Sequence, residues 1–243
     1  MIDPIERFLA DHGLLFLINL PERTDRRAEF NAQLARIGLS FDHPRIRVFP
    51  AVRPAELAGF TTLGTRGCFL SHKSVLEQTL SAGERSVIIC EDDLDFAPDF
   101  LSRLPAVLDI MGREAWDFFY AGYTSVQIGD LVGPEANIFR LPPNHPVLCS
   151  HFYIIRGQAI ADFHDYLSVI LSRPAGHPDG GPMHYDGAIN HFRASRPDLV
   201  TLAILPTLGS QRSSRTDVHA LRWFDRTPLV RDAVQFLRKA KRQ

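Results

Sequence analysis

Four carboxylates within five positions follow one apolar segment of the chain. The segment is residues 86–90, Ser-Val-Ile-Ile-Cys, and the acidic group is residues 91–95, Glu-Asp-Asp-Leu-Asp. Carboxylates this close repel one another, so such a group at the end of a buried strand is costly unless a cation compensates its charge. Mg²⁺ and Mn²⁺ take carboxylate oxygens as ligands and often keep positions open for phosphate oxygens. The group therefore predicts a divalent metal that holds a diphosphate.

A simpler interpretation makes the same residues an acidic turn before a helix. Asp95 or Asp99 would then be the N-cap residue that precedes the apolar positions of residues 100–108. Capping needs one carboxylate, so it leaves the other acidic residues without a role.

Three further polar groups come after predicted strands or in loops, where open α/β sheets bind their ligands. The first is residues 19–27, whose arginines could bind a diphosphate or stack on a nucleotide base. Arginines in a first helical turn are nevertheless usually solvated. The second is residues 71–73, Ser-His-Lys, where an anion site competes with the better interpretation of Ser71 as an ordinary N-cap. The third is Asp186, either an N-cap or a general base delivered by the Pro/Gly-rich loop 172–184.

The elements that position these groups alternate short β-like segments with helical periodicity, which is typical of an α/β fold with a mixed second half. Strands are predicted over 14–20, 45–49, 86–90, 116–121, 137–141, 147–155 and 199–205. Helices are predicted to end at Gly38 and Gly83, to span 99–111 and 157–171, and to begin at Ser71 and Asp186.

Composition indicates a soluble globular chain. Its 243 residues are 45% hydrophobic, which predicts one domain over 1–243, with 228–243 as a basic helical tail. Lys and Arg number 27 against 28 Asp and Glu, a balance that argues against a general nucleic-acid-binding protein.

The three cysteines are an odd number, far apart in sequence, and favour a reducing compartment. Cys68 and His72 have C-x₃-H spacing, but the sequence offers no second cluster at zinc spacing, which argues against a structural zinc site.

We find no export signal or membrane anchor and expect a cytoplasmic protein. The basic tail either packs on the core with solvated ends or makes weak peripheral contact with the inner face of a membrane.

Four motifs in order resemble glycosyltransferase family 25, which includes bacterial lipooligosaccharide galactosyltransferases and animal collagen galactosyltransferases. They are residues 18–27 (Ile-Asn-Leu-Pro-Glu-Arg-Thr-Asp-Arg-Arg), 67–72 (Gly-Cys-Phe-Leu-Ser-His), 87–96 (Val-Ile-Ile-Cys-Glu-Asp-Asp-Leu-Asp-Phe) and 186–189 (Asp-Gly-Ala-Ile). Linked motifs in a fixed order are far more specific than any one of them. The chain departs from the family pattern at Thr65 and Arg66, where a carboxylate is lost and a cation is gained.

The resemblance implies a GT-A-like, Rossmann-like nucleotide-sugar transferase fold, Mn²⁺ or Mg²⁺ held by the acidic motif, and inverting transfer from a UDP-sugar, usually UDP-galactose. The acceptor would be a glycan or lipid-linked saccharide of the cell surface, such as lipooligosaccharide. The residues that match the family motifs receive the roles that it implies. Metal ligands are Asp93 and Asp92, the general base is Asp186, and donor contacts are Asn19, Arg23, Arg26, His72, Glu91 and Asp92.

Two other functions remain open from the sequence. Asp93 and Asp95 have the Asp-x-Asp spacing of phosphohydrolases with a nucleophilic aspartate, although the downstream Lys and acidic pair of those enzymes are not evident. The second alternative is a non-catalytic module that binds sugar nucleotides but lacks a general base.

Overall fold

The computed structural model of the protein describes residues 3–212, which are built around an eight-stranded mixed sheet. The helices are α1 (Pro4–His12), α2 (Thr24–Arg36), α3 (Leu63–Ser81), α4 (Phe100–Arg113), α5 (Gln158–Ser172) and α6 (Tyr185–Ser195). The strands are β1 (Leu14–Asn19), β2 (Ile46–Pro50), β3 (Ser86–Glu91), β4 (Leu94–Phe96), β5 (Phe118–Gly122), β6 (Ser125–Val126), β7 (Asp130–Gly133), β8 (Ile138–Leu141), β9 (Val147–Leu148), β10 (Phe152–Arg156), β11 (Thr201–Ile204) and β12 (Gly209–Gln211).

The main sheet has the order β2-β1-β3-β10-β5-β11-β8-β7. Strand β1 pairs in parallel with β2 and β3, and β5 pairs in parallel with β11, whereas β10 runs antiparallel to both β3 and β5. Two small sheets, β12-β4 and β6-β9, complete the strands of residues 3–212. The α/β class with a mixed sheet is therefore as the sequence predicted.

Two hydrophobic cores lie on opposite faces of this sheet. Strand β3 shows the alternation: Ile88 and Cys90 point into the core that contains α1, α2 and α4, while Val87 and Ile89 point into the core that contains α3, α5 and α6. All four side chains are fully buried, which explains why this segment is apolar throughout its length. The layering holds the end of β3 in a fixed position.

Three predicted element boundaries are wrong. Helix α3 begins at Leu63 with Thr62 as its N-cap, so Ser71 lies inside the helix rather than capping it. Helix α6 begins at Tyr185 with His184 at the N-cap position, so Asp186 is not an N-cap. The predicted strand 147–155 is divided into β9 and β10.

The capping interpretation of the acidic group is correct for the position of Asp99 but not for Asp95. Asp95 lies in β4, and Asp99 occupies the N-cap position of α4 without accepting a capping hydrogen bond through its side chain. The predicted basic helical tail, 228–243, lies outside the described residues, so the single-domain organisation of 1–243 stays a prediction. Within residues 3–212, every helix is too short or too polar to cross a lipid bilayer.

Candidate functional site

A cavity of about 320 Å³ lies where β1, β2 and β3 end. Its volume falls within the ~300–1,000 Å³ range of small-molecule pockets. Because β2 and β3 flank β1 on opposite sides, the cavity lies at the kind of strand-order reversal where open α/β sheets bind ligands. The side chains or backbone that line it belong to Ile18, Leu20, Arg26, Ala51, Val52, Arg53, Pro54, Leu63, Gly64, Gly67, Cys68, Ser71, His72, Glu91, Asp92, Asp93 and Gln211.

Asp92 is held by two partners from the first strand–turn motif. Its Oδ1 accepts a hydrogen bond from Arg26 Nη1 at 2.6 Å, and its Oδ2 accepts one from Asn19 Nδ2 at 2.8 Å. All three side chains are buried. Burial nevertheless raises the pKa of Asp92 above its ordinary value. The structure thus brings together three residues that the sequence placed in two separate motifs.

Asp93 presents a different environment, because one of its oxygens has no hydrogen-bond partner within residues 3–212. Oδ2 accepts a hydrogen bond from Gln211 Nε2 at 3.2 Å and lies 3.6 Å from Arg26 Nη1. Oδ1 is buried and accepts no hydrogen bond from any of residues 3–212. Burial, together with the charge of Glu91, raises the pKa of Asp93 to about 7. A cation at Oδ1 would stabilise the ionised carboxylate and so lower this pKa.

His72 lies between Glu91 and a pair of buried tyrosines. Its Nδ1 is 3.2 Å from Tyr153 Oη, and its ring stacks on Tyr185 with 4.0 Å between ring centroids. The two tyrosine hydroxyls are 2.7 Å apart. His72 Nε2 faces Glu91 Oε1 at 3.5 Å, an ion-pair distance rather than an aligned hydrogen bond. Burial favours neutral Glu91, but His72, His151 and Arg26 together outweigh burial and lower the pKa of that carboxyl.

Helix α3 is fixed against the cavity by a glycine and a serine. A Cβ on Gly67 would lie 2.5 Å from the Val52 carbonyl oxygen, so only glycine permits this approach. Ser71 Oγ accepts a hydrogen bond from Val52 N at 2.8 Å and donates one to Gly67 O at 2.6 Å. Ser71 therefore anchors the loop after β2 rather than starting a helix.

Asn19 holds Asp92 without itself being among the residues of 3–212 that line the cavity, and two further predicted site residues are also absent from that wall. Arg23 forms an exposed ion pair with Asp25 at 3.0 Å, and its backbone oxygen accepts a hydrogen bond from Asn19. Asp186 accepts hydrogen bonds from Cys149 N at 3.0 Å and from Gly187 N at 2.8 Å. Neither residue is among those of 3–212 that line the cavity. Their roles as donor contact and general base stay predictions.

Sequence reasoning missed Gln211. This residue reaches Asp93 because β12 pairs with β4, in a register that places Gln211 opposite Leu94. The next residue, Arg212, donates its backbone N–H to Asp93 O at 2.6 Å and its side chain to Asp95 at 3.0 Å. No motif links residue 211 to residue 93, since the contact depends on a strand pairing between distant segments.

The departure from the family pattern at residues 65 and 66 lies outside the cavity. Thr65 is buried, with its hydroxyl 2.8 Å from that of Thr62, and Arg66 donates to Glu56 O at 2.6 Å. Neither is among the lining residues of the described chain. The exchange therefore changes the local packing of α3 rather than the wall of the cavity.

A solved glycosyltransferase shares this fold. A crystal structure of a glycosyltransferase involved in the glycosylation of the major capsid of PBCV-1 superposes with a TM-score of 0.50 and 7% identity, over 84% of this chain and 94% of that one. At this identity the likeness concerns the fold alone, and it confirms the GT-A-like class predicted from the sequence.

Residues 14–127 match the sequence model of Glycosyltransferase family 25 (LPS biosynthesis protein). The chain is similar to this family over 114 of its 243 residues, as the sequence motifs predicted. A "Glycosyltransferase 25 family member" of Anopheles gambiae is 30% identical over 155 residues, which are 52% of this chain and 25% of that protein. An "Inactive glycosyltransferase 25 family member 3" of Mus musculus is 27% identical over 139 residues, which are 50% of this chain and 24% of that protein. The chain thus spans about a quarter of the length of these curated relatives.

Proposed function

We propose that the protein is a metal-dependent inverting glycosyltransferase that moves a sugar, galactose in the first instance, from a UDP-sugar to a glycan or lipid-linked saccharide. The observation that carries this proposal is Asp93, whose buried Oδ1 lacks a hydrogen-bond partner among residues 3–212. This oxygen belongs to a residue that lines the cavity at the exit of β3, inside the segment that matches family 25.

The donor set at Asp93 fits Mn²⁺ or Mg²⁺. Both ions are hard cations that prefer carboxylate oxygens, and a neighbouring cation would favour the ionised form of a carboxyl whose pKa burial has raised to about 7. Asp93 would hold the ion, with Asp92 beside it. When bound, such an ion neutralises charge that develops on the departing nucleoside diphosphate.

The remaining site residues would organise the donor. Arg26 and Asn19 fix the orientation of Asp92 through hydrogen bonds of 2.6 and 2.8 Å. Glu91 and His72 form the wall of the cavity next to the acidic group, where they can contact the ribose or the sugar. Inversion in one displacement also needs a base for the acceptor hydroxyl, and Asp186 is assigned that role by its match to the fourth family motif.

A place in cell-surface polysaccharide synthesis follows from the description of the family as an LPS biosynthesis protein. Under this proposal the protein works in the cytoplasm at the inner face of a membrane, where lipid-linked saccharides are available. The basic residues near the C-terminus would supply a weak contact with anionic lipid.

A screen of nucleotide sugars by thermal unfolding tests the donor assignment. A ligand at ~100 times its dissociation constant stabilises a protein by ~2.7 kcal/mol, which is a clear shift in melting temperature. UDP-galactose should stabilise the protein with Mn²⁺ and much less without it. Equal shifts in melting temperature with and without the ion would contradict the metal-dependent site. A larger shift with another nucleotide sugar would identify that sugar, rather than galactose, as the donor.

A second candidate is a sugar-nucleotide-binding module that performs no transfer. The mouse relative and its counterparts in rat, human and cattle carry the word inactive in their names, which favours this alternative. Release of UDP from a UDP-sugar separates the two functions. A transferase hydrolyses its donor slowly when no acceptor is present, whereas a pure binding module releases no UDP.

The phosphohydrolase alternative has less support from the geometry. Its mechanism needs Asp93 and Asp95 to act on the same phosphate. Asp95 instead lies in β4, is bound by Arg212 at 3.0 Å, and is not among the described residues that line the cavity.

A further inference from the structure

Cys68, His72 and Glu91 meet on one wall of the cavity. Their potential ligand atoms, a thiol sulfur, an imidazole nitrogen and a carboxylate oxygen, all lie within 4.8 Å of one another. Cys68 and His72 are four residues apart on α3, a spacing that places both side chains on the same face of a helix. Glu91 approaches this face from the end of β3.

The imidazole of His72 points its Nε2 at this meeting point. The side chain is fully buried, and Nε2 makes no aligned hydrogen bond with any of residues 3–212. Tyr153 contacts the other ring nitrogen at 3.2 Å, and stacking on Tyr185 fixes the plane of the ring. Such support from a second partner is what orients a metal-binding histidine.

The spacing matches a small tetrahedral ion. Two ligand atoms that are each ~2.1 Å from a tetrahedral Zn²⁺ lie about 3.4 Å apart. His72 Nε2 and Glu91 Oε1 are 3.5 Å apart, and the ligand atom of Cys68 lies within 4.8 Å of those of the other two residues. All three residues line the cavity, so the fourth position of the ion would face the ligand space.

We propose that Cys68, His72 and Glu91 form a binding site for a zinc-class metal ion, separate from the oxygen site at Asp93. Thiolate and imidazole ligands select Zn²⁺ and similar ions, whereas carboxylate oxygens alone suit Mg²⁺ and Mn²⁺. Three protein ligands and one open position are the arrangement of zinc sites that bind a substrate or water, as opposed to closed structural sites. This site does not depend on sugar transfer, since it is defined by metal binding alone.

Cobalt titration of the full chain, freed of metal with a chelator, tests the proposal. Co²⁺ replaces Zn²⁺ at such sites, and a thiolate bound to Co²⁺ gives a charge-transfer absorption that oxygen and nitrogen ligands do not give. We expect this absorption to saturate at one Co²⁺ per chain, to disappear when Zn²⁺ is added, and to persist in excess Mn²⁺. Its absence from the wild-type protein would overturn the proposal.

Variants identify the ligands. Cys68→Ser should remove the charge-transfer absorption, and Glu91→Gln should weaken Co²⁺ binding by more than the ~10–100-fold that loss of an outer-shell partner costs. Cys149→Ser is the matched control, because this second half-buried cysteine lies outside the set and should leave the absorption unchanged. Asp93→Asn should also leave it unchanged. Absorption that persists in Cys68→Ser, or that is lost in Cys149→Ser or Asp93→Asn, would refute the assignment.

Discussion

At the scale of single residues, the ion pair of Arg26 with Asp92 compensates part of the negative charge of the acidic group, residues 91–95, at the end of β3. Both side chains are less than 10% exposed, and the Nη1–Oδ1 distance is 2.6 Å. The sequence assigned Arg26 to the donor diphosphate, but the structure shows its guanidinium bound to a carboxylate of the protein. Under the proposed function, Arg26 would act on the donor mainly by fixing Asp92.

Arg26→Ala should destabilise the protein by ~3–5 kcal/mol, because it leaves a buried carboxylate without its cation. Urea denaturation measures this change. Arg23→Ala is the matched control, since its ion pair with Asp25 is exposed and should contribute no more than ~1 kcal/mol. Equal stability of the two variants would show that the buried pair contributes nothing beyond a surface pair.

Asp186 allows its two possible roles to be separated. A general base is needed for transfer but not for donor binding, so Asp186→Asn should lower turnover by ~10²–10⁴-fold while UDP affinity stays near that of the wild type. Kinetic assays and UDP titration measure the two quantities. Full turnover with a lowered melting temperature would instead mean that the hydrogen bonds to Cys149 and Gly187 are its only function.

The sequence predicted most residues of the acidic cluster and its partners correctly as neighbours, because they follow β1 and β3. Strands that run in parallel side by side bring their ends together, and Ile18 lies opposite Glu91 in the register. Gln211 and the tyrosines beside His72 could not be predicted in this way. The pairing of β12 with β4 brings in Gln211, and the pairing of β10 with β3 brings in Tyr153, while Tyr185 lies on α6. No local pattern specifies these contacts.

At the scale of elements, the main error concerned the start of α3. The sequence placed the start of this helix at Ser71, yet the helix begins at Leu63 and includes Gly64 and Gly67. Gly67 is required by the close approach of the Val52 carbonyl, a tertiary contact that outweighs its poor helix propensity. The interpretation of Ser71 as an N-cap therefore made the predicted helix too short.

Two variants test where α3 begins. Thr62 Oγ1 accepts a hydrogen bond from Thr65 N at 3.0 Å, so Thr62→Ala should cost ~1 kcal/mol of stability, as expected for loss of an N-cap. Ser71→Ala should cost ~1–3 kcal/mol because it leaves the Val52 N–H without its acceptor. Chemical denaturation measures both. A neutral Thr62→Ala combined with a loss of helical circular dichroism in Ser71→Ala would favour a start at Ser71.

At the scale of the whole molecule, His12 links stability to pH. It lies at the end of α1 beside Trp116 with 5.7 Å between ring centroids, and Asp11, Arg7 and Arg156 are the charged groups that act on it. Burial lowers its pKa from 6.5 to about 4. The unfolded chain therefore binds a proton in this range that the folded protein does not. The stability that His12 contributes is present above pH 6.5 and is lost as the pH falls towards 4.

His12→Phe should remove this dependence. Relative to its value at pH 7.5, the free energy of unfolding of the wild type at pH 5 should fall by about 2 kcal/mol more than that of the variant. Denaturation at both pH values measures the difference, and use of the variant as reference cancels the contribution of other titrating groups. Parallel pH profiles would show that His12 titrates as an exposed histidine does.

The central claim is that the acidic exit of β3 holds a metal-dependent nucleotide-sugar site. Calorimetric titration of UDP into the wild type and into Asp93→Asn, each with and without Mn²⁺, tests it most directly. Asp165→Asn serves as control, because this exposed carboxylate on α5 lies outside the cavity. We expect Mn²⁺-dependent UDP binding in the wild type and the control and none in Asp93→Asn, whose fold should be intact. Unchanged Mn²⁺-dependent affinity in Asp93→Asn would contradict the claim.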